Sequence, residues 1–358
     1  MSSLGKFPDQ YAAEIAAQPE ALRRAASGLM DQRAELGRIR DAMNAAGPIV
    51  FTGMGASSHS CHPAVTALAA AGIPTLHVDS AELLYFRRAI LGPTSVLITV
   101  SQSGESAEPV ALVADLAQRR DRPVLVSVTN GLDNTLARGS DVALDTRAGV
   151  ETGPSSMTFA AGLVVLSAVA HVLAGESPDR AVTRLRAAAE RAAAAVEVLL
   201  DRGAELAETL LGWLGDRETA VLLGRGPARA ASELGALVLK ESAAFAAESL
   251  ETAQFRHGPF ELAGPGLAAV VVATERETRL LDLRLARELA STGAAVLVIS
   301  QDGVAPPGAL GVATGELERS VAPAVSLVPV QLLAWRLALA RGRSPGAFVH
   351  ATKVTARE

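Results

Sequence analysis

The chain has 358 residues, of which 49% are hydrophobic and 20% are charged, and its formal net charge at pH 7 is −5. This length exceeds what one compact domain usually holds, so we expect two domains. The composition excludes an intrinsically disordered chain, and the negative charge gives no electrostatic footprint for nucleic acid.

The single cysteine, Cys61, excludes an internal disulfide framework and a cysteine-ligated zinc cluster. The amino-terminal residues lack the apolar segment of a secretion signal. The longest apolar stretches, such as the one around residues 160–170, fall short of about 18 uninterrupted residues. We therefore expect a cytoplasmic protein that does not contact a membrane.

The first 45 or so residues are rich in Ala, Leu, Arg and Glu and predict helices, with Pro19 in a first turn. Short β-branched runs then follow at 48–52, 95–100 and 123–128. Each run is followed by a polar or glycine turn, and Ala/Leu-rich helical stretches generally separate them. Continuous apolar strands that alternate with helices indicate a parallel sheet covered on both faces.

The same pattern recurs in the second half of the chain. Matching positions lie 171 or 172 residues apart, as do Gly53 and Gly224 or Val100 and Val272. A nearly constant offset over three strands indicates duplication of one α/β unit. The predicted organisation is an amino-terminal helical segment (1–45), a first domain (46–176), a helical connector (177–215), a second domain (216–345) and a tail (346–358).

Two loops of the first half are candidates for an anion site, residues 53–58 and Ser101-Gln102-Ser103-Gly104-Glu105-Ser106. Ligands of parallel sheets bind beyond the carboxyl ends of the strands, where these loops lie. Glycine lets backbone amides approach an anion, hydroxyls donate to it, and the following helix presents its positive end. The alternative is that the two loops provide a pair of ordinary serine N-caps for the helices that follow. The corresponding loop of the second half carries Glu275 and Glu277, which would repel a phosphate.

The second half offers a different chemistry, with Glu241 after Lys240 and with His257 before Gly258. Sugar isomerisation needs a base that moves a proton between C1 and C2, and a second group that opens the ring. A carboxylate and an imidazole suit these roles. The residues alone leave open whether Glu241 is an ordinary helix carboxylate and His257 an ordinary loop residue.

These residues together resemble the SIS (sugar isomerase) domain family. The loop 101–106 is similar to the family's phosphate signature, and the doubled unit resembles the isomerase half of glucosamine-6-phosphate synthase and stand-alone amino-sugar-phosphate deaminases and isomerases. The resemblance covers nearly all of the chain from about residue 45 onward. It implies two duplicated SIS subdomains, each a parallel sheet flanked by helices in a flavodoxin-like three-layer α/β/α arrangement. It also implies a homodimer with a shared active site, because the family's histidine comes from the neighbouring subunit, and it implies no cofactor and no metal.

The resemblance further implies a site for a small sugar phosphate. Glu241 would move the proton between C1 and C2, His257 would open the ring, and Lys353 would reach the open-chain carbonyl from the tail. The other histidines match no functional position, and we expect surface or packing roles for them. The residues implied to hold the phosphate or the sugar are Gly55, Ser57, Ser101, Gln102, Ser103, Ser106 and, for the sugar hydroxyls, Ser156.

The sequence departs from the synthase at three points. The first SIS unit is reached within about 45 residues, so we expect no glutaminase activity. A second lysine of the family, two positions before Lys240, is replaced by Val238, and Met157-Thr158 replaces a Thr-Lys pair. These departures favour an amino-sugar-phosphate deaminase/isomerase that converts glucosamine-6-phosphate to fructose-6-phosphate and ammonia. A fructosamine-phosphate deglycase, a plain aldose/ketose isomerase and a non-catalytic sugar-phosphate sensor remain alternatives.

Overall fold

The structure is a computed structural model that describes residues 9–42 and 47–356. These residues form two compact units. The first, which contains the serine-rich loop 101–106 and is called the serine-loop unit, consists of residues 20–42, 47–150, 157–190 and 350–356. The Glu241 unit consists of residues 9–19, 151–156 and 191–349. Each unit therefore combines segments that lie far apart in the sequence.

Each unit contains one five-stranded sheet in which every pairing is parallel. In chain order the strands are β1 (Ile49–Thr52), β2 (Thr75–His77), β3 (Val96–Val100), β4 (Val124–Thr129), β5 (Val142–Asp145), β6 (Thr219–Gly224), β7 (Ala246–Glu251), β8 (Leu267–Val272), β9 (Ala295–Ser300) and β10 (Ala309–Ala313). The first sheet has the order β2-β1-β3-β4-β5 and the second the order β10-β9-β8-β6-β7. Counted within its own unit, each sheet has the flavodoxin-like order 2-1-3-4-5.

Helices fill the connections between these strands. In chain order they are α1 (Gln10–Ala16), α2 (Gln18–Gly28), α3 (Arg33–Asp41), α4 (Ala56–His59), α5 (His62–Ala70), α6 (Ser80–Glu82), α7 (Ala107–Ala117), α8 (Thr135–Arg138), α9 (Met157–Leu173), α10 (Pro178–Asp201), α11 (Gly203–Leu214), α12 (Arg229–Ala243), α13 (Thr252–Phe255), α14 (Arg279–Ser291) and α15 (Ala322–Ala340).

The predicted fold class, a duplicated α/β fold with parallel sheets, is confirmed. The three apolar runs predicted in each half are the three central strands of each sheet, whose residues are almost all buried. The outer strands β2, β5, β7 and β10 were not predicted, because their residues are only partly buried and lack a continuous apolar run. β2 and β7 obey the same repeat, since they begin at residues 75 and 246, which are 171 apart. β5 and β10 begin at residues 142 and 309, which are 167 apart.

One helix in each unit is buried along nearly its whole length, α9 in the serine-loop unit and α15 in the Glu241 unit. α9 packs on α3 and α5, and α15 packs on α1, α11 and α12. By length and composition α15 is the one helix among the described residues that would also pass as a membrane span. In the fold 89% of its most apolar window is buried, as in the core helix of a globular unit.

A bidentate ion pair joins the amino ends of β4 and β5 in the serine-loop unit. Arg122 donates from Nη1 to Oδ2 of Asp141 at 2.6 Å and from Nη2 to Oδ1 at 2.8 Å. The Leu125 amide donates to the same carboxylate at 2.9 Å. The hydrogen bonds from the Arg122 guanidinium lower the pKa of Asp141 below its usual value.

We expect Asp141→Asn to lower the free energy of unfolding by about 1–3 kcal/mol at pH 7, because charge-assisted hydrogen bonds are lost. The folded pKa of Asp141 lies below the unfolded one. Its stabilisation is therefore present above about pH 4 and is lost as the pH falls through the lowered pKa, where variant and wild type converge.

Urea unfolding between pH 7 and pH 3 measures this difference. Asp133→Asn is the matched control, since Asp133 forms an ion pair with Arg138 but its side chain is fully exposed. We expect the control to change stability by about 0.5 kcal/mol or less. Equal losses for the two variants would contradict the assignment.

Candidate functional site

The candidate anion site lies where β1 and β3 end side by side. These strands are parallel neighbours, with Thr52 in register with Thr99. Their following loops, 53–55 and 101–106, therefore leave the same edge of the sheet. In the order β2-β1-β3-β4-β5, the chain leaves β1 toward β2 on one side and leaves β3 toward β4 on the other. Flavodoxin-like folds bind ligands at the point where these two connections diverge.

The end of β3 and the start of α4 lie too close to Gly53 for any side chain at this position. A Cβ atom there would lie 2.9 Å from the Val100 carbonyl oxygen and 3.0 Å from the Ser58 amide nitrogen. Gly55 has φ 52° and ψ −129° and directly precedes α4. The glycines thus let the backbone turn tightly at the strand end, as a phosphate cradle requires.

The serine loop, residues 101–106, is held by its own hydroxyls. The Ser101 hydroxyl lies 3.1 Å from the Ser106 hydroxyl and accepts the Gly104 amide at 3.1 Å. The Ser103 hydroxyl accepts the Glu105 amide at 3.1 Å. Ser101 is buried, whereas Gln102, Ser103 and Ser106 are half-buried. The structure therefore brings the four predicted phosphate residues of this loop together at the amino end of α7.

The carboxylate within the serine loop is engaged by a neighbouring helix. Glu105 accepts the Thr135 amide, the first residue of α8, at 2.7 Å. This hydrogen bond lowers the pKa of Glu105 below its usual value, so the side chain stays ionised. Gly104, at φ 66°, packs against Asn134, which caps the same helix by accepting the Ala137 amide at 2.8 Å.

A second polar cluster supports α4. Ser58 is buried and donates to Oδ1 of Asp79 at 3.0 Å, and Nε2 of His77 lies 2.9 Å from the same hydroxyl. Because a hydroxyl has one proton, His77 acts here as the donor to Ser58. Ser57, the predicted phosphate residue, is half-buried beside this cluster. Sequence reasoning missed the cluster, since its members lie about 20 positions apart and form no motif.

The carboxyl-terminal tail contacts the same region. The Ala107 amide, the first of α7, donates to the Thr355 carbonyl at 3.0 Å. Lys353, two residues earlier, is half-buried. The contact brings the tail to the amino end of the helix that follows the serine loop. Ser57, the serine loop and Lys353 therefore all belong to the serine-loop unit.

The other predicted residues belong to the Glu241 unit. Glu241 is half-buried near the end of α12, which terminates at Ala244 in a left-handed conformation with φ 48°. Val238 lies on the same helix and is fully buried. His257 is exposed just after α13, and its amide donates to the Gln254 carbonyl at 2.9 Å.

Ser156, the predicted sugar-binding residue, also lies in the Glu241 unit. Its amide and its hydroxyl donate to Oε2 of Glu151 at 2.9 and 3.1 Å. Both residues are buried. The loop 151–156 is thus held partly by its own carboxylate, and the Ser156 oxygen retains lone pairs that can accept a hydrogen bond.

In the second half, an ion pair occupies the position of the anion site. Arg225 occupies the position in the second half that corresponds to Met54 in the first, 171 residues earlier. It donates to Oδ1 of Asp282 at 2.8 Å. Burial raises the pKa of Asp282, which is 1% exposed, and that of Glu275, which pairs with Arg319 at 3.0 Å. This edge also contains a cavity of about 390 Å³, lined by both acidic and basic groups. The charges here differ from the neutral hydroxyls and amides of the serine loop.

The SIS domain family profile matches residues 43–172 and 214–341. The chain belongs to the SIS domain family. It is 30% identical over 351 residues to glutamine–fructose-6-phosphate aminotransferase [isomerizing] of Pyrobaculum aerophilum. The match covers 96% of this chain and 57% of the relative, so the chain spans a little over half the length of that curated relative.

Solved structures share the fold at lower identity. The carboxyl-terminal domain of glucosamine-fructose-6-phosphate aminotransferase from Francisella tularensis has a TM-score of 0.84 and 23% identity, covering 97% of this chain and 100% of that chain. Tagatose-6-phosphate ketose/aldose isomerase from Escherichia coli has a TM-score of 0.80 at 22% identity, covering 99% and 100%. Glucosamine-6-phosphate deaminase from Thermotoga maritima has a TM-score of 0.68 at 22% identity, covering 92% and 99%.

We expect Gly104→Ala to disrupt the serine loop. A Cβ atom at this position would lie 2.0 Å from Oδ1 of Asn134, in addition to the strain at φ 66°. Strain costs about 1–2 kcal/mol and loss of the Asn134 cap about 1 kcal/mol more. The displaced loop should bind inorganic phosphate at least about tenfold more weakly, which is about 1.4 kcal/mol, by isothermal calorimetry.

Gly72→Ala is the matched control for that variant. Gly72 also has a positive φ, 77°, but a Cβ atom there would meet nothing within 4 Å. We expect the control to lose stability through backbone strain alone and to bind inorganic phosphate with the wild-type affinity. Normal phosphate binding by Gly104→Ala would exclude the serine loop as the anion site.

Proposed function

We propose that this SIS protein is an amino-sugar-phosphate deaminase/isomerase that converts glucosamine-6-phosphate and water to fructose-6-phosphate and ammonia. The observation that carries the proposal is the serine loop at the diverging strand ends, which offers hydroxyls and the amino end of α7 to an anion. This arrangement suits a phosphate dianion held by neutral donors. The acidic net charge of the chain does not oppose it, because binding a sugar phosphate needs only a local anion site.

The proposed reaction moves protons within the substrate and adds one water. His257 transfers the proton that opens the sugar ring and exposes the C1 aldehyde. Glu241 removes the proton from C2 and returns it to C1, while a second proton passes from the amino nitrogen to the C1 oxygen, which leaves a C1 hydroxyl and an imine at C2. Water adds to this imine, and the C–N bond breaks to give the C2 ketone and ammonia. Lys353 orients the carbonyl oxygen of the open chain, and no redox partner is needed.

One feature of the chain supports deamination over the aminotransferase reaction named for the Pyrobaculum relative. Val238 is buried where the resemblance leads us to expect a second lysine. The deaminase from Thermotoga has the same fold over 92% of this chain. Plain isomerisation is the second candidate, favoured by the fold likeness to the tagatose-6-phosphate isomerase.

Ammonia release from glucosamine-6-phosphate tests the proposal. We expect wild type to release ammonia and fructose-6-phosphate in equal amounts. Glu241→Gln should lower kcat by about 10²–10⁴-fold, because the amide cannot accept the C2 proton. Glu248→Gln is the matched control in the same unit, since Glu248 is exposed on β7, and it should retain wild-type kcat.

The outcomes separate the alternatives. Binding of the sugar phosphate without ammonia release excludes the deaminase. Interconversion of aldose and ketose phosphates without ammonia identifies a plain isomerase, and release of an amine from a fructosamine phosphate identifies a deglycase. Glu241→Gln turnover at the wild-type rate would overturn the assigned base.

We further propose a homodimer in which His257 serves the active site of the neighbouring subunit, as the family resemblance implies. The exposure of His257 on its loop after α13 supports this arrangement. Glu241→Gln and His257→Ala should each be inactive alone. Co-expressed in equal amounts, they should recover about a quarter of wild-type activity, because half of the dimers are mixed and each mixed dimer has one intact site. Activity no higher than that of the single variants would show that the histidine acts within its own subunit.

A further inference from the structure

α1 carries a buried carboxylate, Glu14, to which the sequence assigned no function. Glu14 is 1% exposed. Its Oε1 accepts the Thr152 amide at 2.7 Å, the Thr152 hydroxyl at 3.0 Å and Nε2 of Gln10 at 3.1 Å. Its Oε2 accepts the Gly153 amide at 3.0 Å. Four neutral donors therefore compensate a buried negative charge, which is costly unless its hydrogen bonds are satisfied.

These hydrogen bonds fix the backbone of the loop 151–156 in place. Two consecutive amides donate to the two oxygens of one carboxylate, which fixes the orientation of both peptide groups. Gly153 permits the contact, because a Cβ atom there would lie 2.9 Å from Oε2 of Glu14 and 3.3 Å from Cδ2 of Tyr11. Gly346 approaches the same region, where a Cβ atom would lie 2.8 Å from Cβ of Tyr11 and 3.2 Å from Cδ of Pro154.

The other end of this loop is held by Glu151, which accepts the amide and the hydroxyl of Ser156. Both Glu14 and Glu151, together with Glu241, lie within electrostatic range of the buried Tyr11 hydroxyl. Burial first, and these carboxylates in addition, raise the pKa of Tyr11, so the phenol stays neutral. The loop that contains Ser156 and the proposed base Glu241 therefore both lie near Tyr11 of α1.

We propose that Glu14 is a positioning residue, which holds the backbone of Thr152 and Gly153 and so presents the loop 151–156 to the hydroxyls of the sugar. The inference rests on the proposed function, because it takes Ser156 to contact the sugar. It assigns to α1 a role in recognising the sugar and none in recognising the phosphate. We call the hydrogen bonds from Thr152 and Gly153 to Glu14 the Glu14 clamp. Its loss should weaken binding of a sugar phosphate and leave binding of inorganic phosphate unchanged.

Glu14→Gln tests the clamp with little change in shape. The variant replaces one carboxylate oxygen by an NH2 group that faces a backbone N–H, so at least one buried donor loses its acceptor. We expect the Kd for fructose-6-phosphate and the KM for the amino-sugar phosphate to rise by about tenfold or more, as loss of one charge-assisted hydrogen bond predicts. The Kd for inorganic phosphate should stay within about twofold of wild type.

Glu20→Gln is the matched control, since Glu20 is an exposed carboxylate on α2 whose ion pair with Arg24 spans 3.9 Å. It should change neither Kd. Thr152→Val provides a second test should Glu14→Gln fail to fold, because it removes the hydroxyl donor and keeps both amide bonds. It should raise the Kd for fructose-6-phosphate in the same direction by a smaller factor.

The outcomes distinguish this inference from the proposed function. Wild type that binds neither inorganic phosphate nor fructose-6-phosphate contradicts the proposed function. Wild type that binds both, with Glu14→Gln and Thr152→Val unchanged in both affinities, overturns the clamp. An equal loss of both affinities also overturns it, because it would indicate general destabilisation. The two Kd measurements decide between these outcomes without turnover.

Discussion

The parallel pairing of β1 with β3 is the constraint on which the candidate anion site depends. It brings two strand ends to one edge, where the Val100 carbonyl at the end of β3 would lie 2.9 Å from a Cβ atom at Gly53. The corresponding glycine of the second unit, Gly224, is also closely surrounded, since a Cβ atom there would lie 2.8 Å from the Ser232 hydroxyl and 2.9 Å from the Ala228 carbonyl oxygen. Both units therefore need a glycine at this position, although different atoms surround it in each.

The two copies of this edge differ in their electrostatics. In the first, the serine hydroxyls bond to one another and to the Gly104 amide, and Glu105 is engaged by the amino end of α8. In the second, Arg225 is bound to the buried Asp282, so the corresponding position already holds a satisfied ion pair. Removing one partner of such a pair would leave an uncompensated charge, which opposes its exchange for a ligand. The proposed anion site therefore lies in the copy without this ion pair, and the proposed catalytic residues Glu241 and His257 lie in the other half.

Buried carboxylates organise the loop 151–156 of the Glu241 unit. Glu14 and Glu151 are each bound by backbone amides and hydroxyls, which orient peptide groups more precisely than apolar packing does. Hydrogen bonds to a buried polar side chain also join Ser58 of α4 to His77 and Asp79. Local polar networks thus shape the loops, while apolar strands and the helices α9 and α15 provide the cores.

The sequence by itself determined the six central strands, the repeat of about 171 residues, the serine loop and the family, because apolar runs and glycine-serine loops are local signals. It did not reveal the outer strands, whose partly exposed residues resemble loops. Only the tertiary structure joined Glu14 to Thr152, 138 positions away, and brought Thr355 to Ala107. Such contacts depend on which elements the fold places side by side, and no local periodicity encodes them.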